Sequence, residues 1–314
     1  MSLRNGAPAA ELGPRTQTSS LSPRRRGLSL GVLALLAVVP RGARAQLELR
    51  DDRGVTVTLA RAPTRIVSLL PSLTESVCAL GACARIVATD RFSNWPESVR
   101  ALPKVGGMED AQIERIVALR PDVVLVSATA RAIARLEGLG LAVVALESRD
   151  RADVHRTLAL LGRMLGVPDA AARVEADVER ETAAAAARVP AALRGKRVYF
   201  EIDASMYAAG PGSFLGETLA RLGLANAIPA ALGPFPKLNP EFVVRAQPDI
   251  IMATQQGLVD MRKRPGWAAL RALATDQTCG FPGPRYELLV RPGPRMGEAA
   301  SLLADCLAAI AKAH

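Results

Sequence analysis

One phrase occurs twice in this chain. "ERIVALRPDVVLVS" occupies residues 114–127, and "EFVVRAQPDIIMAT" occupies residues 241–254. Four residues recur at the same spacing (Glu114 and Glu241, Val117 and Val244, Pro121 and Pro248, Asp122 and Asp249), and most other pairs exchange one apolar residue for another. The separation is far longer than the roughly 20–50 residues of a solenoid repeat, so the duplication indicates two domains built on one design.

The first 45 residues are typical of an export signal. Arg24, Arg25 and Arg26 precede the apolar run "GLSLGVLALLAVV", and "ARA" at 43–45 has the form of a cleavage site. The apolar run is shorter than the about 20 residues that span a bilayer. We therefore predict a signal peptide over 1–45, cleaved after Ala45, and a periplasmic mature protein. Both Sec and twin-arginine export remain open.

The charge of the chain lies mostly in this leader. The formal net charge is +10, but the leader holds seven of the 40 basic and one of the 30 acidic residues, which leaves 33 against 29, or +4. After position 45 the one basic run is "RKR" at 262–264. This distribution argues against a nucleic-acid partner.

Strands and helices alternate in two stretches of the mature chain. In the first stretch, β-branched runs at 65–70, 85–90, 123–128 and 141–146 alternate with helical patterns at 72–82, 111–119 and 130–140. Ser72 and Glu75 have the spacing of a helix capping box. The second stretch has strands at 197–203 and 249–254 and helices at 213–228, 239–246 and 296–313. Such alternation with short connections predicts parallel α/β domains.

Helix formers without intervening strands separate the two stretches. Residues 169–189 predict one helix of about 30 Å. We predict an α/β fold of two lobes with parallel-type sheets, joined by a single long backbone helix, with the ligand cleft between the lobes. The expected domains are the signal peptide 1–45, an N-terminal lobe 46–150, a helical connector 151–190 and a C-terminal lobe 191–314.

Five segments carry a resemblance to a known family. They are "RIVSLLPSLTE" (65–75), "DRFSNWP" (90–96), "LPKVGGMEDAQIERIVALRPDVVL" (102–125), "GPFPKLNPEF" (233–242) and "LVRPGPR" (289–295). With them the chain resembles the periplasmic binding proteins of ABC importers that join their lobes by a rigid helix and serve cobalamin, haem and ferric siderophores. It looks most like the cobalamin (vitamin B12) binders. The resemblance implies a monomer without catalytic activity or catalytic cofactor, which delivers cobalamin or a related corrinoid to an inner-membrane ABC permease with its ATPase. Haem and ferric siderophores are the alternative ligands.

The resemblance also implies a ligand site. It places Phe92, Tyr207 and Phe235 at corrin-contacting positions, where aromatic rings offer a large rigid contact area. Loop-anchoring core positions are the alternative interpretation of these aromatics. The predicted ligand-binding residues are Pro71, Ser72, Phe92, Trp95, Met108, Tyr207, Phe235, Glu287 and Arg291.

Several of these positions also have a plain structural interpretation. Glu287 and Arg291 match a polar pair near the cleft of cobalamin binders, but they are also spaced for a surface salt bridge. Met108 stands where the resembled proteins can carry an aromatic. The turn at Pro71–Ser72 is expected to direct backbone N–H groups toward the cleft.

Glu114 and Glu241 match the glutamates that dock each lobe onto permease arginines in the resembled family. A matched pair of charges on two lobes orients an encounter and raises its rate. The alternative is local, since an acid in the first turn of a helix complements the helix dipole.

Histidine and cysteine bear on metals and compartment. The two histidines, His155 and His314, do not fit a cleft, so we predict no metal site. Cobalamin carries its own axial ligands, whereas haem would need one such as Tyr207. Four cysteines follow the leader, and Cys78 with Cys83 and Cys279 with Cys306 are the pairs nearest in sequence, with free thiols as the alternative.

One segment favours a different class of protein. "GPGSFLG" at 210–216 has Gly-x-Gly spacing between a strand and a helix, as in dinucleotide-binding loops. It keeps an exported nucleotide-dependent enzyme as a remote alternative. The equivalent turn of the first stretch, "LPSLTE", lacks the glycines.

Overall fold

A computed structural model describes residues 46–313; the predicted signal peptide and its cleavage, like His314, lie outside the described residues. The strands are β1 Leu47–Arg50, β2 Thr56–Leu59, β3 Ile66–Ser68, β4 Ile86–Thr89, β5 Val123–Ser127, β6 Val143–Leu146, β7 Arg197–Phe200, β8 Ala225–Asn226, β9 Ile250–Thr254 and β10 Thr278–Phe281. The α-helices are α1 Pro71–Ala79, α2 Ile113–Ala118, α3 Ile133–Gly138, α4 Arg151–Leu165, α5 Pro168–Arg188, α6 Phe214–Arg221, α7 Pro240–Ala246, α8 Gln255–Met261, α9 Arg271–Ala274, α10 Gly283–Leu289 and α11 Met296–Ala313.

Two four-stranded parallel sheets have the same strand order. The N-terminal sheet is ordered β4-β3-β5-β6 and the C-terminal sheet β8-β7-β9-β10. The two sheets therefore have the same topology. The repeated phrase supplies one inner strand of each sheet, β5 and β9. A separate antiparallel hairpin, β1-β2, packs its apolar side chains onto the core of the N-terminal lobe. The predicted fold of two parallel-sheet α/β lobes is confirmed.

The repeated phrase forms the same helix–turn–strand unit in both lobes. Asp122 Oδ2 accepts hydrogen bonds from the backbone N–H groups of Thr64 (2.7 Å) and Arg65 (2.9 Å), just before β3. Asp249 Oδ2 accepts the corresponding bond from the N–H of Arg197 (2.8 Å), at the start of β7. Each Pro-Asp turn thus fastens an inner strand to its neighbour.

The connector consists of two helices that each reach both lobes. In α5, Ala171 packs in the N-terminal core, Val178 in the C-terminal core, and Val174 touches both. With 21 residues, α5 is about 31 Å long, which confirms the long backbone helix. α4 behaves alike, since Leu158 lies in the C-terminal core and Leu161 in the N-terminal core.

The capping box at Ser72 and Glu75 was a wrong prediction. α1 begins at Pro71 after Leu70, no side chain caps it, and Ser72 lies inside the first turn. Glu75 instead accepts a hydrogen bond from Arg291 at 2.9 Å. A guanidinium is a stronger partner for a carboxylate than a backbone amide is, so a distant residue overrides the local pattern.

Both nearest-neighbour cysteine pairs form disulfides. Cys78 at the end of α1 is bonded to Cys83, and Cys279 of β10 is bonded to Cys306 of α11. The second bridge ties the edge strand of the C-terminal sheet to the closing helix. Among residues 46–313, no helix has the length and apolarity that crossing a membrane requires.

Candidate ligand site between the lobes

A concavity opens at the C-terminal ends of β3 and β4. Pro71, Phe92 and Met108 line it, together with Leu69 and Asp90, and its volume is about 370 Å³. The Phe92 side chain is 62% exposed. The carboxyl ends of parallel strands are where open α/β sheets bind ligands. Three of the predicted ligand residues therefore share one wall of the N-terminal lobe.

The loop that carries Phe92 stands on buried polar groups. Asp90 accepts hydrogen bonds from the N–H of Phe92 (2.7 Å) and from the Ser93 hydroxyl. Lys104 Nζ donates to the Ser93 carbonyl (2.7 Å) and to the Thr89 hydroxyl (2.8 Å). Burial raises the pKa of Asp90 and lowers the pKa of Lys104. These polar contacts hold the Phe92 ring exposed to solvent without any ligand. We call this loop with its exposed ring the Phe92 platform.

A glycine shapes the neighbouring turn. Gly106 has φ +97°, and a Cβ there would overlap the Asp110 carbonyl oxygen. A side chain at this position would displace the turn, which presents Met108 beside Phe92. Gly106 therefore has a steric reason.

Tyr207 and Phe235 lie on two facing loop segments of the C-terminal lobe. Tyr207 pairs with Lys237 in an antiparallel bridge, and the N–H of Ala208 donates to the Pro236 carbonyl at 3.0 Å. The Tyr207 side chain is 42% exposed, whereas Phe235 is half-buried with its ring 5.9 Å from that of Phe214. Tyr207 is thus available to a ligand, and Phe235 belongs partly to the core.

A buried ion pair supports the loop of Tyr207. Glu201, 3% exposed, accepts two hydrogen bonds from Arg264 (2.6 and 2.8 Å) and one from the Tyr199 hydroxyl (2.8 Å). The Arg264 guanidinium lies over the Trp267 ring at 4.6 Å. The hydrogen bonds with Glu201 raise the pKa of Arg264, and burial raises the pKa of Tyr199. Sequence reasoning missed this pair, because its members are 63 residues apart.

Glu287 and Arg291 belong to the C-terminal lobe, and their side chains hydrogen-bond to residues of the N-terminal lobe. Arg291 donates hydrogen bonds to Glu75, Asn94, the Phe92 carbonyl and Glu287. We call the interlobe seam the set formed by Glu75, Asn94, Trp95, Glu287, Arg291 and Arg295.

The seam also includes Trp95 and covers Ser72. The guanidinium of Arg295 lies 4.3 Å from the centre of the Trp95 ring. A Cβ added at Gly293 would stand 3.6 Å from the Ser72 carbonyl, and Ser72 is buried. Of the predicted ligand residues, Trp95, Glu287 and Arg291 meet in the seam, and Ser72 lies beneath it rather than on an open wall.

Glu114 and Glu241 lie outside this site, each exposed in the first turn of its helix. Glu114 accepts a hydrogen bond from Arg135 of α3 at 2.9 Å. The side chain of Asn239 caps α7 by accepting from the N–H of Glu241 at 2.9 Å. Both glutamates are accessible to a partner and also complement a helix dipole.

Two remaining sequence features lie away from the cleft loops. His155 of α4 is 2.8 Å from Glu175 of α5, on the connector. In the 210–216 loop, a Cβ at Gly210 or Gly216 would overlap backbone, whereas one at Gly212 would meet nothing within 4 Å. Ser213 caps α6 by accepting from the N–H of Gly216 at 3.0 Å. Within residues 46–313, no group of three or more His, Cys, Asp or Glu side chains is arranged to hold a metal ion.

A family model described as periplasmic binding protein matches residues 66–282, which include both sheets and the connector. The chain belongs to the periplasmic binding protein family. This periplasmic binding protein is 27% identical over 268 residues to an uncharacterized ABC transporter substrate-binding lipoprotein of Bacillus subtilis, an alignment that covers 82% of this chain and 84% of that protein.

A second relative and a solved structure carry ligand names. The cobalamin-binding protein of Halobacterium salinarum is 30% identical over 210 residues, which cover 64% of this chain and 57% of that protein. The periplasmic haem-binding protein RhuT from Roseiflexus sp. RS-1, solved in apo form, superposes with a TM-score of 0.68 at 26% identity and covers 79% of this chain and 98% of that one. This periplasmic binding protein is thus similar both to a cobalamin binder and to a haem binder.

Proposed function

We propose that the protein captures cobalamin or a related corrinoid between its lobes after export, and hands it to an ABC permease. The Phe92 platform is the observation that carries this proposal. An apolar ring held open by buried charges suits the wide, mostly apolar face of a corrin, and Met108 adds a polarisable contact beside it. A cargo that brings its own axial ligands needs such contact surface more than it needs metal ligands. The similarity to the Halobacterium cobalamin-binding protein supports the same choice.

Titration of the purified mature protein with cyanocobalamin, by calorimetry and by visible spectra, tests the cargo. Phe92→Ala should weaken binding about tenfold, since an aromatic contact of this kind contributes about 1.4 kcal/mol. Leu139→Ala is the matched control, because Leu139 is exposed to a similar extent but lies beyond α3. Absence of micromolar binding by the wild type would sink the corrinoid proposal.

Haem is the second candidate, and Tyr207 is the observation that favours it. Its phenol is 42% exposed on a cleft loop and has the chemistry of a haem axial ligand. If haem is the cargo, haemin should give a shifted Soret band that Tyr207→Phe abolishes, since this change removes only the hydroxyl. If a corrinoid is the cargo, Tyr207→Phe should retain cyanocobalamin affinity within a few-fold.

We further propose that Glu114 and Glu241 dock the two lobes onto the permease. They occupy equivalent helix starts of two duplicated lobes, and a symmetric pair of exposed charges can orient the receptor on a partner. The double variant Glu114→Lys/Glu241→Lys should keep ligand affinity and lose uptake. Glu97→Lys, at another exposed acid, is the control for charge alone. Uptake that survives the double reversal would refute docking by this pair.

A further inference from the structure

The guanidinium of Arg291 serves four acceptors at once. Nη1 donates to Glu75 Oε1 (2.9 Å) and Asn94 Oδ1 (2.8 Å), and Nη2 donates to the Phe92 carbonyl (3.1 Å) and Glu287 Oε2 (2.7 Å). Three of these partners belong to the N-terminal lobe. The Arg291 side chain is only 10% exposed, so the surface salt bridge considered from the sequence does not describe it.

Separation of the lobes would leave a buried charge without its partner. Glu75 is 2% exposed and sits in α1 of the N-terminal lobe. Burial raises the pKa of Glu75, against the lowering effect of the hydrogen bond and charge of Arg291. Removing one member of such a pair is far more costly than breaking an exposed pair. The interlobe contact therefore favours one lobe separation strongly.

The same arginine holds the backbone of the aromatic at the ligand wall. The Phe92 N–H donates to Asp90 of its own lobe at 2.7 Å, and the Phe92 carbonyl accepts from Arg291 of the other lobe at 3.1 Å. One anchor thus moves with each lobe. A change in lobe separation would pull on the residue that carries the exposed ring.

We propose that Arg291 pins the two lobes at one separation and thereby sets the position of the Phe92 ring, with Glu75 and Asn94 as its positioning residues. This role differs from the direct ligand contact implied by the resemblance. Four acceptors in two lobes require the planar fork of a guanidinium, so lysine cannot replace it. The pin is a property of the protein without ligand, while its effect on affinity rests on the proposed function.

Tryptophan fluorescence tests the pin without any ligand. The chain has two tryptophans: Trp95 lies in the seam, and Trp267 is buried in the C-terminal lobe. Acrylamide quenching of the mature protein, with Trp95→Phe as the background for Trp267, isolates the Trp95 signal. Glu75→Ala and Arg291→Met should each increase the quenching of Trp95 and leave that of Trp267 unchanged, which also reports that the fold is intact.

Conservative and combined variants separate a pin from a general loss of packing. Arg291→Lys should behave like Arg291→Met, and Glu75→Gln, which keeps an acceptor oxygen, should fall between wild type and Glu75→Ala. The double variant Glu75→Ala/Arg291→Met should not exceed Arg291→Met alone, because that change already removes the contact with Glu75.

Arg156→Met is the matched control. Arg156 also serves two carboxylates, Asp52 and Asp153 at 2.8 Å each, but lies in α4 of the connector, outside the seam. Its Trp95 quenching should equal that of the wild type. If Arg291→Met matches Arg156→Met, the pin is overturned.

Cyanocobalamin titration then tests the link to Phe92. If release of the pin leaves about one-tenth of the molecules in the binding arrangement, the apparent dissociation constant rises about tenfold. Increased quenching with unchanged affinity would overturn the link to Phe92. A wild type that does not bind cyanocobalamin would overturn the proposed cargo alone, since the quenching still decides the pin.

Discussion

Removing Arg264 should strongly destabilise the protein, because it leaves a buried carboxylate without its counter-ion. Arg264→Ala takes two hydrogen bonds, of 2.6 and 2.8 Å, from Glu201, whose remaining side-chain partner is the Tyr199 hydroxyl. Glu201 is 3% exposed, so its carboxylate would remain in a poorly solvating interior without its counter-ion.

The expected loss has two parts. Removing one partner of a buried ion pair costs about 3–5 kcal/mol, because the other charge is left uncompensated. Loss of the Arg264 contact with the Trp267 ring adds about 1 kcal/mol. We therefore expect the free energy of unfolding to fall by about 4–6 kcal/mol.

Urea unfolding followed by far-ultraviolet circular dichroism at pH 7 measures this loss. Lys263→Ala is the control, since Lys263 adjoins Arg264 in sequence but forms only an exposed ion pair with Asp260; its midpoint should stay unchanged. The double variant Glu201→Gln/Arg264→Met removes both charges and should be more stable than Arg264→Ala. A loss in the double variant as large as that in Arg264→Ala would refute the buried-charge explanation.

Three further predictions concern stability and share the same unfolding assay. Asp122→Ala and Asp249→Ala each remove the hydrogen bonds that join a Pro-Asp turn to the neighbouring strand. Each change should lower the free energy of unfolding by about 1–3 kcal/mol. Burial would raise the pKa of Asp122, but the hydrogen bonds from Thr64 and Arg65 lower it overall. Wild type should therefore be more stable to unfolding than Asp122→Asn above about pH 4, and this difference in stability should shrink as the pH falls further. Gly297→Ala would place a Cβ 2.5 Å from Glu181 Cβ of α5 and should lose about 1–3 kcal/mol, whereas Gly138→Ala meets nothing within 4 Å and should lose nothing. Replacing Cys279 and Cys306 by serine opens a 27-residue loop and should lose about 3.5 kcal/mol. Wild-type stability in any variant that is expected to lose stability would contradict its stated cause.

The sequence predicted the fold where the structural signal is local. The inner strands are short buried apolar runs, the Pro-Asp turns recur, and α5 is a continuous run of strong helix formers. These elements hardly depend on distant partners. Because the phrase is duplicated, the structure predicted for the first lobe could be transferred to the second.

The segment 255–289 was not predicted, because its local signals conflict. β10 contains a glycine, and α10 opens with Gly-Pro. Their structure depends on Phe281 and Tyr286 packing into the C-terminal core, with Cys279 bonded to α11. Such long-range packing leaves no period in the sequence.

The candidate site, like the fold, could be predicted from the sequence only in part. The family resemblance predicted Phe92 and Tyr207 as ligand residues, and the structure places both exposed on loops. The polar residues that hold these walls were missed, since Asp90, Lys104 and Glu201 have partners set by the fold. The hydrogen bond between Glu75 and Arg291 joins residues 216 positions apart. The capping-box spacing of Ser72 and Glu75 pointed to a local partner instead.

The shared connector has a consequence for how the protein comes apart. Val174 touches both hydrophobic cores, and α4 and α5 each give one end to each lobe. Neither core can lose its structure without stripping apolar surface from helices that the other core needs. We therefore expect heat or denaturant to melt both lobes in one cooperative transition, although each lobe has a sheet of its own.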